Sequence, residues 1–260
     1  MAGRSPVSRM AWRWASASKI GTSHLRTGTR KQDALHCFLA GREESALCAL
    51  VCDGAGSASF GGEGASLISR VISVSLREHF QTQTSLPTDD EVWGWIDQAR
   101  DLLAEAAAHR SCTRREFAST LVLLVVSGAQ ALAVHVGDGA IVVRGQAGEW
   151  RALTWPENGE YASTTYFLTD DPSPRVRITR HPADFDAAAV FSDGIETLAL
   201  DLAAEIPHEP FFRTMIGPLD AAKAEGRVRG LSDALGKFLE SPRVCDRTDD
   251  DKSLIVASAR

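Results

Sequence analysis

Three apolar runs in this 260-residue chain end in the same dipeptide: "LVCDG" closes on Asp53-Gly54, "VHVGDG" on Asp138-Gly139 and "VFSDG" on Asp193-Gly194. Each run is short and bounded by turn residues, so each reads as a core strand. The glycine is expected to take a positive φ and turn the backbone sharply, leaving the aspartate at the strand end facing whatever lies beyond the sheet edge. One Asp-Gly pair is an ordinary turn. Three of them, together with Asp33 in "RKQDALH" and Asp250 in "DDDKSLIVA", would set five carboxylates at strand ends. Gathered carboxylates repel one another, and such a cluster is costly unless cations neutralise it. The donors are hard oxygens with no His or Cys at metal-ligand spacing, which favours Mg²⁺ or Mn²⁺ over Zn²⁺.

The rest of the chain alternates β and α patterns. "WRWASASKI", "ALHCFLAG" and "ALCALVC" read as strands. From Gly62 to Gln81 the apolar residues Ala65, Ile68, Val71, Ile72 and Leu76 recur at helical spacing. "DDEVWGWIDQARDLLAEAAAHR" is a second helix, with an acidic start and a core stripe of Val92, Trp95, Ile96, Ala99, Leu102 and Leu103. "FASTLVLLVVSG", "AQALAVHVGDG" and "AIVVRG" are joined by turns so short that a three-stranded antiparallel meander is expected. "PRVRITRH" and "AAAVFSDG" add strands, a helix spans Leu219 to Glu240, and "KSLIVASA" is the last strand. Long crossovers are too few for a doubly wound sheet, so the expected class is α+β, antiparallel sheets packed on each other with helices outside.

A net charge of −6 without a Lys/Arg block argues against nucleic-acid or membrane-surface partners. No apolar stretch has the length of a membrane span. The N-terminus is Arg-rich and acid-free until Asp33, a weak likeness to a transit peptide; a short flexible tail over 1–12 ahead of one domain over 13–260, in a cytoplasmic protein, is the preferred reading. The five cysteines form no close pair and read as reduced, with Cys48 and Cys52 in a strand core.

In order along the chain, "QDALHC", "VCDGAGSASFGGEGAS", "FASTLVLLVV", "AVHVGDGAIVVRG", "VFSDGIE" and "DDKSLIVA" resemble the successive motifs of metal-dependent protein serine/threonine phosphatases of the type 2C class. "GTSH…QDA" and "GEYASTTYFLTDD" are most similar to a bacterial branch. Single motifs are weak, but the ordered set, from Ile20 to Ala257, is specific. The resemblance implies a four-layer α-β-β-α sandwich of two antiparallel sheets, with a dinuclear centre at one end. It implies hydrolysis of phosphoserine and phosphothreonine in proteins by a water activated by two Mn²⁺ or Mg²⁺ ions, in signalling against a Ser/Thr kinase, by a monomer. Carried over residue by residue, Asp53 resembles the carboxylate bridging both metals and Gly54 the backbone carbonyl ligand. Asp193 and Asp250 are similar to the ligands of the first metal. Asp33 resembles the acid that holds the metal-bound water, and Asp138 the acid of a third metal site.

Departures from the pattern accompany it. Gln32 stands where many members carry a Glu ligand to the second metal, and a neutral amide would hold that ion more weakly. Gly28 replaces an Arg that grips substrate phosphate, leaving Arg26 and Arg30 as candidates for that role. Ala55 replaces a His proposed as general acid, and Thr197 replaces an acid that helps the third metal. These departures keep a second reading open, a catalytically weakened or non-catalytic phosphoprotein-binding regulatory domain of the same fold. Four retained aspartates favour the enzyme. His135 reads as a core or rim histidine and His24 as a hydrogen-bonded loop residue. "FGGEGAS" lacks the Lys of a P-loop, and Ser119 and Thr120 resemble a structural pair with no nucleophile elbow around them.

Overall fold

The structure, a computed structural model, describes residues 11–41, 45–157 and 165–260. β1 (Arg13–Lys19) is followed by the short helix α1 (Thr22–Thr27), and the hairpin of β2 (Ala34–Ala40) and β3 (Ala46–Cys52) leads to two long helices, α2 (Gly61–Thr82) and α3 (Asp89–His109). A 3₁₀ turn at Arg114–Phe117 returns the chain to β4 (Leu121–Ser127), β5 (Gln130–Val136), β6 (Ala140–Gly145) and β7 (Trp150–Thr154). Then come β8 (Arg177–Pro182) and β9 (Phe185–Phe191), and a 3₁₀ turn at Asp193–Ile195 that runs into α4 (Glu196–Ala199). The two-residue strands β10 (Leu200–Asp201) and β11 (Ile206–Pro207) precede α5 (Glu209–Asp220), β12 (Gly226–Arg227), α6 (Arg229–Leu239), α7 (Pro242–Cys245) and β13 (Lys252–Ser258).

Two sheets stack face to face. One has the order β12-β1-β13-β9-β6-β7 and the other β2-β3-β4-β5-β8, every pairing antiparallel except β1 with β12. Their central strands are continuous apolar runs because both faces are covered. In β3, Cys48, Leu50 and Cys52 point to a core shared with α2 and α3, whereas Leu47, Ala49 and Val51 point to the core between the sheets. In β13, Ile255 and Ala257 face that central core, while Leu254 and Val256 face a third one filled by Phe212, Ile216 and Leu239 of α5 and α6. Three cores between four layers are the expected α-β-β-α sandwich.

Three details correct the sequence reading. The expected meander is broken, because β4 and β5 pair but β6 crosses to the other sheet and pairs with β7 and β9. The turn Gly137–Gly139 is short enough for a hairpin yet carries the chain between layers. The expected helix over Leu219–Glu240 is two helices, α5 and α6, parted by β12, whose Gly226 has φ +74° and whose residues pair with β1. Finally, Leu102 is 37% exposed rather than in the core, and Trp12, assigned to the tail, is buried at 6.4 Å from the Phe185 ring centroid. The remaining tail residues 1–10 and the "GEY" of Gly159, Glu160 and Tyr161 lie outside the described residues. All five cysteines are free, with Cys48 and Cys52 buried. Among the described residues no helix is long and apolar enough to cross a membrane.

Candidate metal centre

Antiparallel register brings the acids to one end of the sandwich. β3 and β5 both flank β4, so they run the same way and end, at Asp53 and Asp138, on the same edge. Ala34 pairs with Cys52, which sets Asp33 at the start of β2 beside Asp53 at the end of β3. In the other sheet, Phe191 of β9 pairs with Leu254 of β13, so Asp193 lies next to the chain that enters β13 through Asp250. Asp53, Gly54, Asp138, Asp193 and Asp250 line one cavity of about 280 Å³, with Arg115 on its wall.

The backbone around Asp53 is clamped. Its N–H donates to Thr120 Oγ1 (3.0 Å), its carbonyl accepts from Thr120 N (2.8 Å), and Ala55 N donates to Ala118 O (2.9 Å). Thr120 thus has a positioning role. The glycines of the three Asp-Gly pairs act by close approach, not by the expected positive φ, which none of them has. A Cβ on Gly54 would sit 2.2 Å from the Gly61 carbonyl carbon at the start of α2, one on Gly139 2.6 Å from Phe191 O, and one on Gly194 1.9 Å from Asp251 O. These contacts let strand ends from both sheets nest together.

Burial and mutual repulsion raise several carboxyls above the ordinary carboxylate range. Burial, with the neighbouring charge of Asp138, pushes Asp193 up to about 7. Burial, reinforced by Asp33 and Asp193, raises Asp53, and burial raises Asp138, against the hydrogen bond it accepts from Thr165 Oγ1. Asp33 is pushed up to about 6 by burial, opposed by Ser253 and Ser192; Ser192 Oγ donates to its Oδ2 at 2.9 Å. These are the surroundings of anions awaiting counter-charge.

Two acids escaped the sequence reading. Asp251, beside the candidate Asp250, is buried; its Oδ1 accepts from Gly21 N (2.6 Å) and pairs with His24 Nδ1 (2.9 Å), and its Oδ2 accepts from Gln32 N. It fastens the α1 segment and the start of β2 to β13; His24 is hydrogen-bonded as expected, but from helix α1 rather than from a loop. Glu196 is half-buried, and burial and then Asp138 push it up to about 7. The 3₁₀ turn at Asp193–Ile195 ends with Glu196 N donating to Asp193 O, and the acid whose charge bears on Glu196 is Asp138.

Gln32 is buried with its Oε1 unpartnered, and Oε1 lies 3.9 Å from where a Cβ on Gly56 of the cavity wall would stand. Asp33 Oδ1 and Asp193 Oδ1 are likewise buried without partners. Among the described residues, no group of three or more His, Cys, Asp and Glu side chains is drawn tightly enough to hold an ion on its own. Spread carboxylates, an amide oxygen, a backbone carbonyl and orphaned oxygens suit hard divalent ions that keep several waters, so the residues fit Mg²⁺ or Mn²⁺.

The arginine candidates fall elsewhere. Arg26 donates to Asp249 Oδ2 at 2.6 Å, and Arg30 lines a separate cleft together with Gln32, Leu67 and Arg70. Gly28 closes α1 in the left-handed conformation (φ +72°). His135 is buried, its Nε2 donating to Gly139 O (2.8 Å) while Nδ1 accepts from Arg177 (2.8 Å); burial lowers it to about 4, so it is a neutral brace for the turn that carries the cavity-lining Asp138.

Residues 20–240 match the family described as "Protein phosphatase 2C". The chain is 36% identical over 251 residues to Serine/threonine-protein phosphatase 3 of Escherichia coli (strain K12), covering 95% of this chain and 98% of that one. Its fold is similar to that of the serine/threonine phosphatase Stp1 from Staphylococcus aureus (TM-score 0.63, 15% identity, 99% of each chain). It is also similar to the catalytic domain of the phosphatase PstP in complex with two manganese ions (TM-score 0.64, 14% identity, 95% of this chain and 97% of that one).

Proposed function

The chain belongs to the protein phosphatase 2C family, and we propose that it hydrolyses phosphoserine and phosphothreonine in proteins at the acid-lined cavity, reversing the work of a Ser/Thr kinase. The observation that carries this reading is the convergence of Asp53, Asp138, Asp193 and Asp250, from strand ends of both sheets, on one cavity beside orphaned buried oxygens. Asp53, the Gly54 carbonyl, Asp193, Asp250 and, more weakly, Gln32 would hold two Mn²⁺ or Mg²⁺ ions. When bound, such ions supply a water acidified enough to attack phosphorus and positive charge for the phosphoryl oxygens. Asp33, fixed by the hydrogen bond from Ser192 Oγ, would accept a hydrogen bond from the attacking water and orient it. Asp138, Asp193 and Glu196 would be the protein groups nearest a third ion. With Ala55 apolar, the leaving serine or threonine oxygen is protonated by solvent in the open cavity.

The test is turnover of an aryl phosphate and of a phosphothreonine peptide with Mn²⁺ added or chelated. Activity should require the metal and fall below detection in Asp53→Asn and Asp193→Asn, whose metal-free folds should be as stable as the parent or more so, since each removes repulsion among carboxylates. The neutral Gln32 favours one rival, a phosphoprotein-binding domain with a weakened centre. Binding of the peptide without turnover at any metal concentration would establish that rival and dismiss the enzyme.

A further inference from the structure

We propose that Arg115 binds the phosphate of the substrate, supplying from the 3₁₀ turn before β4 the guanidinium that position 28 lacks; the inference rests on the hydrolytic reading above. A phosphate monoester dianion entering this cavity has oxygens that would not face the metal positions, and these need donors from the cavity wall. The wall needs a cation of its own. Among the described residues lining the cavity, Arg115 is the one cationic side chain.

Among the described residues, its cationic neighbours are engaged and it forms no ion pair. Arg114 pairs with Asp171, Arg110 with Glu63 (2.6 Å), and Arg100 donates to the carbonyl of Asp170 (3.0 Å). Glu116, the adjacent acid, accepts from Ser59 N (3.0 Å) and Ser59 Oγ (2.6 Å). No carboxylate among the described residues lies within ion-pair distance of Arg115, which is exposed.

The turn that carries Arg115 is fixed relative to Asp53. Phe60 N donates to Glu116 O (2.8 Å), Ala118 N to Arg115 O (3.0 Å) and Ala55 N to Ala118 O (2.9 Å), and the Phe117 ring stacks on Phe60 with centroids 5.1 Å apart. A Cβ on Gly64 of α2 would stand 2.0 Å from Phe117 O, so the turn is seated directly on the helix. An arginine rooted there starts from a fixed point on the cavity wall. Its planar fork can donate two parallel hydrogen bonds to phosphoryl oxygens, which a lysine cannot do.

The experiment compares the parent with Arg115→Ala and Arg115→Lys at saturating Mn²⁺. Arg115→Ala should raise KM for the aryl phosphate by about tenfold or more, the size of a lost charge-assisted hydrogen bond. It should weaken inhibition by inorganic phosphate by the same factor, while the Mn²⁺ concentration for half-maximal activity moves less than twofold. Arg115→Lys should recover part of the phosphate affinity. Unchanged KM and phosphate inhibition in Arg115→Ala would overturn the assignment, as would a parallel loss of metal affinity and melting temperature, or a larger KM effect from Arg26→Ala or Arg30→Ala. If the parent itself shows no metal-dependent turnover, the hydrolytic reading fails separately. Calorimetric binding of inorganic phosphate to the Mn²⁺-loaded protein then decides on Arg115, its loss in Arg115→Ala supporting the role and its retention overturning it.

Discussion

At the scale of single residues, two neighbours with the same side chain have different surroundings. Asp250 is exposed and lines the cavity, whereas Asp251 is buried and spends both oxygens on N–H groups of Gly21 and Gln32. A run of three aspartates contains no local cue to which of them faces inward, and only the entry into β13 separates them. Gln32 is a second case. Its backbone is held by Asp251 and its amide oxygen is left unpartnered toward the cavity wall. Gln32→Glu adds one formal charge where an ion would coordinate, limited by solvent and by repulsion from Asp33 and Asp53. It should lower the Mn²⁺ concentration giving half-maximal activity several-fold, about 1 kcal/mol, a modest charge effect at a wet site. Metal titrations of the two proteins that superimpose would mean Gln32 does not face the ions.

At the scale of elements, strands were the most legible part because each central strand is apolar on both faces, and β2 and β3 begin and end where the residue patterns place them. Helices on the far side were less so. α1 buries no residue, so it carries no apolar stripe to read, and Pro218 inside α5 masks a helix that sits largely before the expected one. α3 was readable by its acidic start, which the structure resolves into a capping box. Thr88 Oγ1 accepts from Glu91 N (3.2 Å), and Glu91 Oε2 accepts from Thr88 N (2.7 Å). Thr88→Ala should destabilise the protein by about 1 kcal/mol in urea unfolding, and Thr88→Ser should restore most of it. Thr88 itself lies at the far end of α3 from Arg100 and does not line the cavity, so the metal titration of Thr88→Ala should match that of the parent.

At the scale of the whole molecule, the acid cluster makes stability depend on pH in an unusual direction. Asp33 at about 6, and Asp193 and Glu196 at about 7, lie above their ordinary values. The metal-free folded state therefore keeps protons that the unfolded chain releases. This contribution is complete below about pH 4 and is lost as pH rises to about 7. The melting temperature of the chelated protein should fall over that window relative to Asp193→Asn, which lacks one of the groups. Divalent ions compete with those protons, so the rise in melting temperature on adding Mn²⁺ should be larger at pH 7.5 than at pH 5.5. An equal or larger rise at the lower pH would show that the ions do not bind at these carboxylates.

The sequence by itself determined that short strands end in acids, that central strands are covered on both faces, and in what order the family's motifs occur. These properties lie in neighbouring residues and in the two-residue period of a strand, and they were enough to identify the sandwich and to name Asp33, Asp53, Asp138, Asp193 and Asp250 as candidates. Only the tertiary structure decided that β6 leaves its hairpin for the other sheet, that Asp251 ties β13 to segments more than 200 positions away, that Glu196 comes under the charge of Asp138, and that Arg115 shares a wall with the aspartates. Each of these is a contact between segments whose separation along the chain bears no relation to their separation in space. Local pattern encodes which face of an element is apolar, but which element covers that face is settled by the packing of all the layers at once.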